Sequence, residues 1–397
     1  MASRAAAATA AAARALPKVE LHRHLEGAVR LKTVLDEARR HGIRLPLPDG
    51  VENDPEKLSL EELRQHIIAE QPFADLASLL AIFDRTQAVF CDMETFRRIA
   101  REAVEDAAAD NIKLLELRYA PSFASMNHQH PFADVLDAVE EGVAQGRAAA
   151  ASAGTPIDVG LICIAVGAMG AEEFERTADF AIERAASFCG FDCAGAEQDL
   201  AAFAPYFARV AAEAPTLGIT CHASEDLIDG VPANALCALR DLGATRIGHG
   251  VQIVRDSTVV DAVAESGALL EISVTSNVLT NAVESAAAHP ARALWQRGIP
   301  LSICSDDPGI MNITLSDEYE LWATTLGFSL DELRATNVYA LERSFLPRDV
   351  VEAAWATHFR PAHSARDAEA EAPRTLSEAV LWAKSVQNRA FWDLMRS

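Results

Sequence analysis

The run KVELHRHLEG at residues 18–27 decides how the rest of the chain is read. Its opening, Lys18–His24, is short and strand-like. Successive side chains of a strand point to opposite faces, so His22 and His24, two apart, share one face. Two imidazoles on one face at a strand end can meet a single borderline ion such as Zn²⁺. Taken alone, the pair fits equally well two ordinary histidines at the end of a strand. What lies outward from it must decide.

Seven further runs of the same kind follow: Ile112–Tyr119, Ile157–Ile164, Phe188–Ala194, Gly218–Ala223, Thr245–His249, Ala268–Ser273 and Pro300–Ser305. They are short and apolar, as suits parallel strands covered on both sides. Ala-, Glu- and Arg-rich segments with helical periodicity separate them, among them Phe132–Ala151, Glu172–Ala186 and Asp199–Ala214. Alternating strand and helix predicts a parallel sheet. Eight such units predict an α/β fold of the (β/α)₈ TIM type, a barrel that accommodates a chain of 397 residues as one unit. Two regions break the alternation. Leu25–Asn111 reads as a helical insertion after strand 1, lying over the barrel mouth, and Leu315–Ser397 as extra C-terminal helices. The alanine-rich start, Met1–Ala15, is expected to be a frayed helical or disordered tail, leaving 16–397 as a single domain.

Composition narrows the partners. The chain has 35 Lys+Arg against 58 Asp+Glu, a net charge of −23. Phosphate backbones and anionic membranes repel such a surface, so nucleic acid and membrane are excluded as partners. A small, neutral or weakly charged substrate suits it better. No apolar run is long enough to span a bilayer. The 7 cysteines form no CxxC pairs, and several sit in apolar strand-like runs, where free Cys behaves as a small hydrophobe. A reducing, cytoplasmic setting follows.

The remaining polar residues collect at strand ends. TCHASED (220–226) ends the fifth strand with His222, and Glu225 follows three residues on. RIGHGV (246–251) ends the sixth with His249. SICSDDPG (302–309) ends the eighth with Asp306 and Asp307, whose side chains point to opposite sides. Each alone has an ordinary explanation: a helix-start acid, a core histidine, an Asp-Pro turn. Together they place three histidines and an aspartate, with a glutamate, a fourth histidine and a second aspartate beside them, where this barrel type keeps its catalytic groups. A three-His, one-Asp site leaves room for water, whose pKa a bound ion lowers toward neutrality, and a neighbouring protonated Glu can protonate a ring nitrogen. Spacing alone reaches metal-assisted hydrolysis and stops there.

The motifs resemble those of the adenosine deaminase family, and particularly of its bacterial members. PKVELHRHLEGAVR, LELRYAPSFA, FDCAGAE, TCHASED, RIGHGV, VTSNVLTNAV with His289-Pro290, SDDPG and ERSFLP occur in the family's order from Pro17 to Pro347, as does the stretch SFASMNHQHP. The resemblance implies one zinc ion held by His22, His24, His222 and Asp306, with Glu225 protonating purine N1. It also implies that His249 orients the attacking water and helps take its proton, and that Asp307 binds N7. The Gly195 backbone would receive N3, and Glu26, beside His24, the ribose. The activity implied is hydrolysis of adenosine and 2′-deoxyadenosine to inosine products and ammonia, by a monomer or weak homo-oligomer.

Two positions depart from the family pattern. Glu26 stands where adenosine-specific members usually carry Asp, and members acting on free adenine carry Glu. Ser224 stands where the family usually has Gly, and a local backbone adjustment is expected there. The alternatives are a deaminase of adenine, of a 5′-modified adenosine or of an aminofutalosine-type nucleoside, and, from another class, a non-catalytic metal-binding barrel. A two-metal ester or amide hydrolase usually needs a bridging group, often a modified lysine, and no lysine belongs to the strand-end set.

Overall fold

A computed structural model describes residues 2–73, 76–195, 197–360 and 373–396. Among the described residues nine parallel strands carry the fold: β1 (Lys18–His24), β2 (Ile112–Tyr119), β3 (Asp158–Val166), β4 (Gly190–Ala194), β5 (Gly218–Ile219), β6 (His222–Ala223), β7 (Arg246–His249), β8 (Leu269–Ile272) and β9 (Leu301–Ile303). β1 to β5 pair in chain order, and so do β6 to β9. The two sets belong to one (β/α)₈ TIM-type barrel, because β5 and β6 are the halves of its fifth strand. Thr220 N–H donates to Phe191 O on one side at 3.1 Å, and Cys221 O accepts from Gly248 N–H on the other at 2.8 Å. The strand is divided where its pairing passes from one neighbour to the next. At the seam, His24 N–H donates to Asp306 O and Asp306 N–H to His22 O, each at 2.9 Å, and Arg23 and Asp306 form a parallel bridge. The same bonds that join the seam set Asp306 beside both histidines of β1.

The end of the barrel opposite the strand C-termini is plugged by the ERSFLP segment. Phe345 lies against β5 so closely that a Cβ on Gly218 would fall 2.0 Å from its ring, so only glycine fits there. The Arg246 guanidinium stacks 3.7 Å from the centre of the same ring.

The expected insertion comprises the helices Leu31–His41, Leu60–Ile67, Leu76–Gln87 and Met93–Ala109. It reaches the strand C-terminal end of the barrel, where Ala69 N–H donates to Ile310 O at 2.9 Å and Phe73 N–H to Leu279 O at 2.8 Å. The extra C-terminal helices are Leu315–Thr324, Leu330–Glu342, Arg348–Ala354 and Leu376–Arg396.

The alanine-rich start takes the helical of its two expected forms. Ala2–Arg14 is a helix, with Ala10 and Ala13 buried and Arg14 bonded to Asp317 and Glu320 at 2.5 and 3.0 Å. Alanine has the highest intrinsic helix propensity, and its small side chain lets this helix pack closely on Leu315–Thr324. The composition that suggested low complexity is what lets the segment dock. Among the described residues no helix is long and apolar enough to cross a membrane.

Candidate active site

β1, β6 and the end of β9 bring four donor groups to one point. His24 Nε2 lies 3.2 Å from His22 Nε2 and 3.3 Å from His222 Nε2. Asp306 Oδ1 lies 3.5 Å from His22 Nε2 and 3.3 Å from His24 Nε2. A tetrahedral ion with ligand atoms at about 2.0–2.1 Å requires them about 3.3–3.4 Å apart. These four distances match that spacing, and the metal-capable triads among the described residues are His22–His24–Asp306 and His22–His222–His249. The opposite ring nitrogens agree: His22 Nδ1 meets Glu271 Oε2 at 2.8 Å, and His222 Nδ1 meets Asp192 at 3.2 Å. A carboxylate on Nδ1 fixes the proton there and leaves the Nε2 lone pair free for a metal.

Those two carboxylates belong to a buried ion-pair layer that sequence reading did not find. Arg118 bonds Asp192 at 2.7 Å and Glu271 at 2.8 Å, so one guanidinium braces the supports of two histidines. Arg246 continues the layer to Glu271 at 2.7 Å and to Glu116 at 2.6 Å. All five side chains are fully buried. The signal for them was present in the sequence as charged residues inside otherwise apolar strands.

Beside the four donors sit Glu225 and His249. Glu225 Oε2 is 3.4 Å from His249 Nε2, and Asp306 Oδ2 is 3.8 Å from the same nitrogen. Burial, and next the Asp306 charge, push the Glu225 carboxyl well above its ordinary range. Glu197 places Glu225: its carboxylate accepts from Ser224 N–H at 3.0 Å and from Glu225 N–H at 2.6 Å, while Asn234 Nδ2 donates to it at 2.6 Å. Sequence reading saw FDCAGAE as a motif but did not single out its Glu197 or Asp192.

Two carboxyl groups face the same region with a free oxygen each. Glu26 Oε1 accepts from Ala120 N–H at 2.8 Å, while its Oε2 is buried without a partner. Burial raises this carboxyl to about 7. Asp307 Oδ1 is also buried and unpartnered. It presses on Gly27 so tightly that a Cβ there would lie 1.7 Å away. Burial, then the charges of Asp306, Glu26 and Glu225, push Asp307 well above its ordinary range. Asp306 behaves oppositely. Burial works to raise it, but the surrounding imidazoles, that of His22 first, hold it well below. The adjacent aspartates are thus pushed in opposite directions, Asp306 down and Asp307 up. Gly195 ends β4 in the left-handed region, φ 66°, and is exposed at the rim.

The backbone is strained where the chemistry collects. Ser224, His249 and Asp306 have φ of 57°, 61° and 61°. L-residues pay roughly 1–2 kcal/mol for this conformation. The expected adjustment at Ser224 is corrected: the backbone keeps the angle that favours glycine, and the hydroxyl offsets the cost. It donates to Val231 O at 2.9 Å and accepts from Ala235 N–H at 3.0 Å, fastening the strand end to the next helix.

The model of the adenosine deaminase family matches residues 17–355. An adenosine deaminase of Escherichia coli is 34% identical over 335 residues, covering 83% of this chain and 94% of that protein. A zinc-bound amidohydrolase structure from Burkholderia ambifaria superposes with a TM-score of 0.72 at 25% identity, covering 87% of this chain and 90% of the other. The structure of an adenine deaminase from Arthrobacter aurescens shares the fold, with a TM-score of 0.70 at 24% identity and coverage of 96% and 100%. Strand order, strand-end donors and these likenesses converge: the chain belongs to the adenosine deaminase family.

Proposed function

We propose that the protein is a zinc-dependent hydrolase that deaminates adenosine and 2′-deoxyadenosine, releasing ammonia and the corresponding inosine. The observation that carries this is a cluster of His22, His24, His222 and Asp306, with four donor distances of 3.2–3.5 Å, beside the half-buried Glu225 and the buried Asp307 and Glu26, the last two each holding a free oxygen. One ion per chain would be held by His22, His24, His222 and Asp306. When bound, zinc supplies Lewis acidity, which brings the pKa of a water toward neutrality.

The chain's own groups do the rest. Glu225, kept protonated by burial and by Asp306, donates to N1 and makes C6 electrophilic. Purine N7 is an acceptor, so its partner must donate, and burial keeps Asp307 in the form that can. The Gly195 N–H is assigned to N3. The free Glu26 oxygen is assigned to a ribose hydroxyl, with His24 beside it. His249 Nε2 faces the attacking water. Water oxygen ends on C6, the C6–N bond breaks, and ammonia leaves. We extend the proposal to a cytoplasmic enzyme in which 16–397 acts as one domain, since all seven cysteines are free thiols.

Glu26 favours one second reading, adenine as substrate. Its extra methylene, relative to Asp, moves the carboxylate by about 1.5 Å, and positioning errors of about 1 Å can cost 10²-fold. Comparing kcat/KM from ammonia release with adenosine, 2′-deoxyadenosine, adenine and a 5′-thio-substituted adenosine decides between them. Preference for the two nucleosides supports the proposal, and preference for adenine replaces the substrate.

A further inference from the structure

A chain of three side chains behind His249 determines which of its nitrogens carries the proton. Asn277, fully buried on the short helix Val274–Leu279, contacts His249 Nδ1 through its amide nitrogen at 3.0 Å. Its oxygen contacts His289 Nε2 at 3.2 Å. His289 Nδ1 in turn accepts from Ala291 N–H at 3.1 Å.

The direction of this chain is fixed at its far end. A backbone N–H can only donate, so His289 Nδ1 must carry a lone pair. Burial pushes His289 down to about 3, so it is neutral and its proton is on Nε2. That proton needs an acceptor, which makes the near atom of Asn277 its oxygen. The Asn277 NH₂ therefore faces His249 and donates to Nδ1. Nδ1 is then an acceptor, and the single proton of neutral His249 is on Nε2. On the other side, Glu225 Oε2 lies 3.4 Å from Nε2 and can accept its proton.

We infer that Asn277 and His289 are positioning residues that hold His249 as a neutral Nε2–H donor, so that His249 hydrogen-bonds the attacking oxygen and does not take its proton. This departs from the role the family resemblance implied, and it rests on the deaminase reading only for the identity of that oxygen. A donor aimed at an oxygen that gains charge in the transition state is an electrostatic stabiliser. To act as a base His249 would need a bare Nε2 and a proton on Nδ1, which would point at the Asn277 NH₂ with no acceptor. Serine hydrolases show the same logic: replacing the Asp behind the base histidine with Asn enforces the wrong tautomer and costs about 10⁴ in kcat.

The proton traffic then passes through Glu225 alone. Glu225 gives its proton to N1 and takes one from water as the O–C6 bond forms. It passes that proton to the amino nitrogen as the C6–N bond breaks, and recovers the last from the C6 hydroxyl. Inosine, ammonia and protonated Glu225 result, which balances adenosine plus one water. One glutamate serving as acid and base has precedent in zinc deaminases of nucleobases.

Two measurements test this on the zinc-loaded protein. The first is nitrogen-15 NMR of labelled histidines, with His249 assigned by the signals missing in His249→Gln. The inference requires a bare Nδ1 and a protonated Nε2. A protonated Nδ1, alone or with Nε2, overturns it. The second is Asn277→Asp, which supplies an acceptor and pulls the proton to Nδ1. Loss of one such donor costs on the order of 10²–10³ in kcat. That fall, with KM unchanged and one zinc retained, supports the donor role, whereas an unchanged or higher kcat makes His249 a base. The NMR result stands even if Asn277→Asp does not fold. If the wild type released no ammonia from adenosine, the proposed function would fail while the tautomer was still read.

Discussion

The barrel holds two charged layers whose carboxyl groups are differently finished. In the lower one, every carboxylate oxygen of Glu116, Asp192 and Glu271 has a partner. Glu116 bonds Arg246, Ser344 and Phe345 N–H; Glu271 bonds Arg118, Arg246, His22 and Thr220; Asp192 bonds Arg118 and His222. In the upper one, at the strand ends, Glu26 Oε2 and Asp307 Oδ1 have none, and Ser224, His249 and Asp306 hold left-handed backbone angles. An unmade hydrogen bond at a buried polar atom costs roughly 1–3 kcal/mol. A fold tolerates that cost where a ligand will complete the bond. In the lower layer the unmatched atoms are guanidinium nitrogens, Arg118 Nε and Arg246 Nη2; in the upper layer they are carboxyl oxygens.

The contrast sets the order of expected effects. Asp306→Ala is the most damaging, because it removes the only oxygen of the four-donor set. Stoichiometric zinc should be lost, with turnover at background, and metal analysis beside ammonia assay checks both. Glu225→Gln should keep zinc and substrate binding yet lose about 10²–10⁴ in kcat, the usual worth of a positioned acid or base. Full turnover in that variant would remove the acid from the scheme.

Arg118→Met tests the other layer, and its signature should differ in kind. Asp192 and Glu271 would lose their shared cation in a buried setting, which costs about 3–5 kcal/mol of stability. Zinc affinity should fall about 10–100-fold through the loosened histidines. Thermal denaturation and chelator competition read these separately, and a variant that lost activity with both unchanged would break the distinction between the layers. Ser224→Ala is milder, at about 1–3 kcal/mol, since it keeps the left-handed angle and leaves the backbone groups bonded by the hydroxyl without it. Ser224→Gly should cost less, because relief of backbone strain offsets the lost hydroxyl; greater damage from Gly than from Ala would show that the angle is not strained.

How much of this was visible beforehand depends on the range of the interaction. Alternating strand and helix patterns show in local sequence, and so does the two-residue spacing of His22 and His24. Strand ends could be located well enough to gather His222, His249, Asp306 and Asp307 at one rim. The lower layer depends on register: Arg118 reaches Asp192 only because β3 lies between their strands at a fixed offset, and one sequence carries no sign of that offset. The division of the fifth strand at Thr220–Cys221 is likewise a property of its two neighbours. The docking of the helix Ala2–Arg14 was not legible, because alanine-rich composition is silent about partners such as Asp317 and Glu320 on a distant helix. The Asn277–His289 chain lay within quoted motifs, but its meaning lies in hydrogen-bond direction, which needs the backbone of Ala291 in place.

The central claim is that the strand-end cluster is a one-metal hydrolytic site for adenosine. Ammonia release from adenosine by one preparation, measured before chelation, after complete metal removal and after adding back one equivalent of zinc, tests it most directly. The account predicts ammonia and inosine in equal amounts, loss of both on chelation, and recovery with a single equivalent. Ammonia release that survived complete metal removal, or none with one zinc bound per chain, would contradict it.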